Sequence, residues 1–520
     1  MTKEIDPLST PSLSYWTASV KPAGYQPLGD DIKVDVAIVG GGLVGTTAAY
    51  LLKRENLTVA VIEANQIGGG TSGHTTAKIT SQHGLFYSKL MARFGLEKAR
   101  QYAEANEGAI TFLEEVIDWE NIDCDFSRQP AYIYTQQEQY VKQIEDEVNA
   151  AAGLGLKAHY LEEIPLPFEV KAAQRFDNQA QFHPGKFLSA LAAGIPGEGS
   201  HIFEQTRAVE FLEGTPFTVI AANGFKVIAE KVIIASHFPA YDGGGYYFTR
   251  IIPDRSYALA VTAQEKFPGG MYITAGSPTR SLRSTPYGEG DGELIIVVGE
   301  HHRTGHGPPT AGYHRNLAQF AEQTFTVTGV PFRWSAQDYT TLDEIPYVGR
   351  LSPKNDNVYV ATGFRKWGIT NGTAAAIMLK DLIVHGESLW EPLYDPARFK
   401  IDDPSLEESV SRHLAEARQK AESGRPENIS QETGALEPAP GKAVKAAGKE
   451  GAIGIYKDSE GRVHAKDITC THMGCELTWN EAELSWDCPC HGSRFTYEGE
   501  VIEGPAFESL PVGSIEQATE

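Results

Sequence analysis

The sequence predicts an α/β nucleotide-binding domain combined with an antiparallel β domain, followed by a small all-β domain at the C-terminal end. Three observations carry this. The β-branched run Val34-Asp35-Val36-Ala37-Ile38-Val39 leads into Gly40-Gly41-Gly42-Leu43-Val44-Gly45 and then a helical pattern of small and apolar residues. Strand-like stretches recur through residues 240–335. Four of the five cysteines fall between Cys470 and Cys490, in a region of short strands and turns.

The bulk numbers bound the rest. A chain of 520 residues is long enough for two to four domains. Its formal charge of −23 makes nucleic acid and anionic membrane poor partners. No run approaches the roughly 20 apolar residues that span a bilayer. The stretch MTKEIDPLSTPSLSYW lacks an apolar secretory core. A cytoplasmic location is therefore expected. Residues 1–30 read as an extended arm, and Cys124 as a small core hydrophobe.

The glycine stretch has the surroundings that a dinucleotide site needs. A buried strand precedes it, a helix follows, and the strand Thr58–Ile62 ends at Glu63, 21 residues past Gly42. Gly40 permits the tight turn, Gly42 lets the backbone approach a pyrophosphate, and Gly45 allows the helix to pack closely. The N-terminus of the helix that follows the glycine stretch, with Leu43 in the turn, would face the phosphates, and Glu63 would accept from ribose hydroxyls.

The next loop, Ile67-Gly68-Gly69-Gly70-Thr71-Ser72-Gly73-His74-Thr75-Thr76-Ala77-Lys78, resembles the flavin-contacting loop of the D-amino acid oxidase-like (glycine/sarcosine oxidase) family. The resemblance implies an FAD-binding Rossmann-type domain, with Thr71, Ser72, His74 and Thr75 near the cofactor. It also raises a covalent His74–flavin bond as an alternative to hydrogen bonding. Several other segments resemble that family. Gln181–Phe187 matches its turn into a re-entering helix, with His183 structural; Phe203–Val209 matches the strand on the adenine side, with Val209 in contact. Glu230–His237 matches a strand that usually ends in glycine, where His237 stands instead. Gly363, Trp367, Gly368 and Ile369 fall where the family's last loop and helix meet the flavin pyrimidine. Arg365-Lys366-Trp367 departs from that loop's usual residues, and Lys366 is a candidate catalytic group. The family's carboxylate-binding arginine points to Arg280 or Arg283, with Arg255 behind them. His301-His302 and His306 read as a loop. The expected FAD-binding segments are about 31–85, 180–240 and 340–400, with the substrate domain at about 86–180 and 240–340.

Ser405 and Glu408 form a capping box for a helix that runs into a linker, together about 401–432. Beyond it, Cys470-Thr471-His472-Met473-Gly474-Cys475 and Cys488-Pro489-Cys490-His491-Gly492-Ser493 each offer a thiolate and an imidazole. Such a set suits tetrahedral zinc or a [2Fe–2S] cluster with one His-ligated iron. The pattern resembles a Rieske domain of the disulfide-bearing kind found in cytochrome bc complexes, here about 433–520. The resemblance implies Cys470, His472, Cys488 and His491 as ligands and a Cys475–Cys490 disulfide clamping the loops. Ser493 stands where such domains donate a hydrogen bond to sulfur, but Phe495 replaces a Tyr that does the same.

Two functions follow. The first is an FAD-dependent dehydrogenase of an amine or amino acid, with electrons leaving through the cluster to an external protein or quinone. The second is a Rieske-linked reductase fed by NAD(P)H or a ferredoxin-type donor. The second would need another strand–GxGxxG–helix for a nicotinamide nucleotide. Gly243-Gly244-Gly245 and Gly305-His306-Gly307 lack the flanking strand and helix.

Overall fold

The computed structural model describes residues 6–288, 290–398, 438–439, 441–447 and 451–513. The expected capping box and linker lie outside these residues. The chain forms two compact units. The first holds 1–245, 256–301 and 314–399; the second holds 246–255, 302–313 and 400–520.

In the first unit, one sheet is built on the fingerprint strand. From edge to edge its strands are Tyr347–Arg350, Val358–Thr362, Lys226–Ile234, Ile32–Val39, Val59–Ile62 and His201–Phe203. The four central pairings are parallel and the outermost pair at Tyr347–Arg350 is antiparallel. Val36, Ala37 and Ile38 are fully enclosed, as a strand covered on both faces requires. Leu43–Arg54 packs on the sheet, as does Gly368–Val384, whose Ala374-Ala375-Ala376 run permits close approach.

A second sheet runs Val327–Thr341, Ile251–Ala263, Glu293–Arg303, Arg280–Pro286, Met271–Thr274, Ser127–Thr135, Ala172–Gln181 and Lys78–Ile79. Arg280–Pro286 pairs antiparallel with both its neighbours and Ala172–Gln181 does so with Ser127–Thr135 and Lys78–Ile79, whereas Met271–Thr274 lies parallel to Ser127–Thr135. The helix Tyr87–Trp119 joins two cores: its Leu90, Tyr102 and Ala109 pack with Val36, Ile38 and Leu379, and its Ile110, Leu113 and Val116 pack with Ala180, Leu294 and Ile296 of the second sheet.

The N-terminal arm is also not simply extended. Tyr15–Ala18 is a short helix, and Trp16 is fully buried with its indole N–H on the Thr75 carbonyl at 2.7 Å. A large aromatic with a polar handle provides the enclosure that a Pro-rich stretch could not.

The second unit contains two antiparallel sheets. Ala443–Ala447, Ala452–Lys457 and Val463–Asp467 form one; Thr478–Asn480, Ser485–Asp487, Arg494–Thr496 and Val501–Glu503 form the other. Leu477, Trp486, Phe495 and Leu510 pack around the cysteines. Beneath them Arg494 bonds Asp487 and Glu503, each at 3.1 Å, and the fully buried Arg255 reaches Glu503 at 3.5 Å. Burial pushes the Asp487 carboxyl up, but Arg494 and Arg255 outweigh it and hold it below the usual range. Among the described residues, no helix is long and apolar enough to cross a membrane.

Trp16→Ala should cost about 3–5 kcal/mol by emptying a core site. Trp16→Phe should cost about 1–3 kcal/mol through the Thr75 carbonyl left without its donor. Denaturant unfolding of both variants measures the two contributions separately.

Candidate functional site

The three fingerprint glycines have separable steric roles. A Cβ on Gly40, where φ is +111°, would lie 2.5 Å from the Ala235 carbonyl oxygen. One on Gly45 would lie 1.9 Å from the Gly40 oxygen. One on Gly42 would meet only Ser72 Oγ, at 3.1 Å. Gly40 and Gly45 are thus required for strand–helix closure, while Gly42 leaves the helix N-terminus open, as an incoming pyrophosphate needs. Leu43 N–H donates to Ser72 Oγ at 2.9 Å, joining this turn to the next loop. Glu63 accepts from Gly41 N–H at 2.7 Å and Asn65 N–H at 2.8 Å. Burial pushes its carboxyl up against these two bonds, and each oxygen keeps a lone pair for a ribose hydroxyl.

The loop Gly70–Ala77 is held mainly by its carbonyls. Ser14 Oγ donates to Gly73, Trp334 to His74 at 2.9 Å, Trp16 to Thr75, and Arg283 to Ala77 at 2.7 Å. Thr71 Oγ1 donates to Gln337. His74 Nδ1 lies 2.8 Å from the Gly70 carbonyl, so that nitrogen is engaged within its own loop. These residues fit a flavin: small side chains, a loop fixed from outside, and a helix N-terminus beside it.

The two candidate arginines separate. Arg280 and Arg283 are three apart on one strand and so face opposite sides of the sheet. Arg283 lies on the flavin-loop side, but its donors go to the carbonyls of Thr76, Ala77, Phe182 and Ser284. Burial pulls its guanidinium down to about 9. Arg280 lines a cavity of about 330 Å³ with Tyr134, Thr274, Asn316 and Phe320, and pairs with Glu300 at 2.5 Å. The Nε and Nη1 donors of Arg283 are thus engaged by backbone carbonyls, and Arg280 is engaged by Glu300 and the Thr279 carbonyl. Arg255 belongs to the buried network of the second unit.

Around the last loop the expected residues do converge. Gly363 turns at φ +79°, Trp367 is the N-cap of Gly368–Val384, and Ile369 is buried in its first turn. Lys366 Nζ donates to Ser256 Oγ at 2.7 Å and to Asp338 at 3.1 Å; Ser256 Oγ lies 2.9 Å from His301 Nδ1. His301 and His302 are on a strand end rather than in a loop, because Glu293–Arg303 extends through them. His237 retains the glycine's left-handed conformation at φ +68°, held by its Nε2 on the Gln337 carbonyl at 2.9 Å. His183 is structural, accepting from Lys186 N–H as a helix N-cap. Val209 lies on Ala208–Leu212, 38 % exposed.

Two buried groups escaped the sequence reading. His83 stacks on Trp367 with ring centroids 4.9 Å apart. Its Nε2 donates to the Thr80 carbonyl at 2.8 Å, leaving Nδ1 to accept from Tyr102 at 2.6 Å. Burial lowers it to about 3, so the ring is neutral and fixes one face of the Trp367 loop. Lys78 is enclosed, donating to the Tyr272 carbonyl and Ser281 Oγ, and burial lowers it to about 7. The only available signals were a lysine and a histidine in otherwise apolar or small-residue segments.

In the second unit the two motif loops face each other. Gly474 N–H bonds the Cys470 carbonyl at 2.8 Å, and Gly492 N–H repeats this on Cys488 at 3.1 Å. The His472 and His491 ring centroids are 5.1 Å apart. Cys475 and Cys490 form the expected disulfide. The Cys470 and Cys488 thiols share a hydrogen bond that pulls Cys470 down and pushes Cys488 up. The Cys475, Cys488 and Cys490 sulfurs lie within 4.8 Å of one another, but two of them form the disulfide, so that trio is not itself a ligand set and Cys470, His472, Cys488 and His491 remain the candidate ligands. Two converging thiols, two facing imidazoles and a disulfide clamp fit a [2Fe–2S] cluster. Cys124 is buried, its thiol pushed up to about 12 mainly by burial.

Because Lys78 is neutral in the fold above about pH 7 yet charged in the unfolded chain up to about 10.5, its burial makes stability rise with pH across that window. Lys78→Met should flatten the stability-versus-pH curve by up to about 1.4 kcal/mol per pH unit, read by urea unfolding at several pH values. Phe495 is fully buried opposite Trp486. Phe495→Tyr should raise the cluster's midpoint potential by adding a donor toward sulfur; an unchanged or lower potential counts against that reading.

Comparison with known proteins follows the same division. The model of the FAD dependent oxidoreductase family matches residues 35–382, and that of the Rieske [2Fe-2S] domain matches 431–514. YhfW of Bacillus subtilis (strain 168), named for a Rieske 2Fe-2S iron-sulfur protein, is 40% identical over 498 residues, 96% of each chain. The gamma-glutamylputrescine oxidoreductase of Escherichia coli (strain K12) is 24% identical over 71% of this chain and 88% of its own. Glycine oxidase from Geobacillus kaustophilus shares the fold with TM-score 0.60 at 19% identity, over 71% of this chain and 100% of that one. The chain therefore belongs to the FAD dependent oxidoreductase family and carries a C-terminal Rieske [2Fe-2S] domain, making it an FAD- and [2Fe–2S]-containing oxidoreductase.

Proposed function

We propose that the chain is a cytosolic dehydrogenase of an amine or amino acid, passing electrons out through its cluster to an external acceptor. The observation that carries this is the pairing of one strand–GxGxxG–helix unit with one Rieske ligand set in a single chain. Electrons must enter from a substrate at the flavin, since no second dinucleotide fingerprint occurs in the sequence. The bound FAD supplies the hydride-accepting chemistry, and the cluster takes electrons singly. The oxidised substrate is an imine, and water converts it to a carbonyl compound and an amine or ammonia.

The chain's own residues provide position and charge. The carbonyl-pinned loop Gly70–Ala77 and the turn at Gly42 fix one side of the cofactor. The N-terminus of Gly368–Val384, with Trp367 braced by His83, places positive potential on the other. Lys366, held by Asp338 and Ser256, adds a cation in the same loop. Such potential favours negative charge on a reduced ring. A substrate with a carboxylate would need Lys366 or a displaced arginine, because Arg280 and Arg283 are engaged.

Anaerobic mixing of the holoprotein with a panel of amines and amino acids tests the proposal. Bleaching of flavin and then cluster by a panel member is expected. Bleaching by NADH alone would instead establish the reductase reading. Lys366→Met should lower the rate of flavin reduction about tenfold or more, while flavin content stays unchanged.

A further inference from the structure

The two cluster loops are alike in internal bonding but differ in their surroundings. The second loop is enclosed by chain segments far from it in sequence, 246–255 and 302–313. His306 Nε2 donates to the Pro489 carbonyl at 3.1 Å, and Phe248 meets the His491 ring edge-on at 5.8 Å. Gly305 sits so close that a Cβ there would be 2.8 Å from Pro489 Cα, and Thr310 Oγ1 accepts from Ala482 N–H. Pro489 and Gly492 are buried as a result. In the first loop the matching residues are open: Met473 is 56 % exposed, and Gly474 is exposed. Thr471 donates to the Glu508 carbonyl at 2.7 Å, which brings Phe507, 41 % exposed, to the same edge.

We infer that the external acceptor docks on the first loop, over Met473 and Phe507, and that it is a one-electron carrier protein with a positively charged face. This rests on the cluster assignment and on the outlet role proposed above. An exposed methionine and phenylalanine beside a ligand loop form a desolvating contact of the kind electron-transfer partners share. The surrounding charge sets the sign of the partner. The stretches 471–477 and 504–510 contain Glu476 and Glu508 and no Lys or Arg, within a chain of formal charge −23. Lys445 neutralises Glu476 only. Such a field attracts a cationic partner and repels an anionic one. On the second loop the corresponding position is covered by the chain's own Phe248 and His306, and the exposed aromatic on that side, Tyr246, is 54 % exposed and stands behind Phe248 at 6.2 Å between ring centroids.

The test uses the holoprotein with basic cytochrome c as the probe, after iron and acid-labile sulfide have been measured. Those contents stand or fall with the cluster assignment and are independent of where a partner docks. Hydroxyl-radical footprinting of the oxidised proteins should show Met473 and Phe507 protected by cytochrome c, and Tyr246 unaffected. Stopped-flow oxidation of the pre-reduced protein is then compared at about 0.15 M ionic strength, where screening acts over about 8 Å. Met473→Lys should slow cytochrome c reduction at least about threefold, whereas Tyr246→Lys beside the second loop should change it less than about twofold. Protection at Tyr246, no protection at Met473, or equal slowing by both variants would overturn the inference.

Discussion

The nucleotide-binding unit depends on how one loop is held. From Gly70 to Ala77 the backbone is too rich in small residues to fix its own shape, and side chains from distant segments fix it instead. Ser14, Trp16, Arg283 and Trp334 each donate to one of its carbonyls. Each donor is itself anchored: Trp16 and Trp334 in the core, and Arg283 on the second sheet. The N-terminal segment and the antiparallel sheet thus act as external supports of the candidate cofactor loop. This also accounts for a buried arginine with no carboxylate partner, since its donors are satisfied by backbone oxygen, which costs less than leaving them bare.

The fingerprint, its flanking elements and the two facing loops of candidate cluster ligands were legible because each is a local pattern with a steric or coordination reason. Gly40, Gly42 and Gly45 are spaced by the geometry of one turn, and Cys470, His472, Cys488 and His491 by two short loops. The departure at His237 was visible, but its resolution was not, since the Gln337 carbonyl that steadies it is 100 residues away. The arginines show the opposite failure. Residue type and strand position made Arg283 a plausible substrate ligand, yet nothing local reveals that its fork would be saturated by carbonyls from three segments. His83 and Lys78 were missed for the same reason, because burial is decided by the tertiary fold. The helix Tyr87–Trp119 was legible as amphipathic, but its stripe could not specify that its two halves enter different cores.

The last loop of the first unit combines these effects. The glycines of the family-like loop, Gly363 and Gly368, stand at a left-handed turn and at the first residue of the helix, while Arg365, Lys366 and Trp367 depart from the family's usual residues there. The structure gives each a distinct neighbour: Arg365 an ion pair with Glu344, Lys366 the Asp338–Ser256 pair, and Trp367 the neutral face of His83. Both cations are matched by a carboxylate, so they hold the loop in place while the backbone dipole supplies the positive potential at this helix N-terminus.

The ion network beneath the cluster has a consequence for how the protein can be divided. Asp487 and Glu503 come from the C-terminal region, but Arg255, one of the cations facing them, is encoded more than two hundred residues earlier. A boundary drawn along the sequence therefore does not coincide with the boundary of the folded body. Excising the C-terminal segment as an independent electron carrier would leave buried carboxylates short of one countercharge and one ligand loop stripped of its cover. The iron–sulfur part of this chain is less a detachable module than a graft, joined to its host through residues that the host supplies.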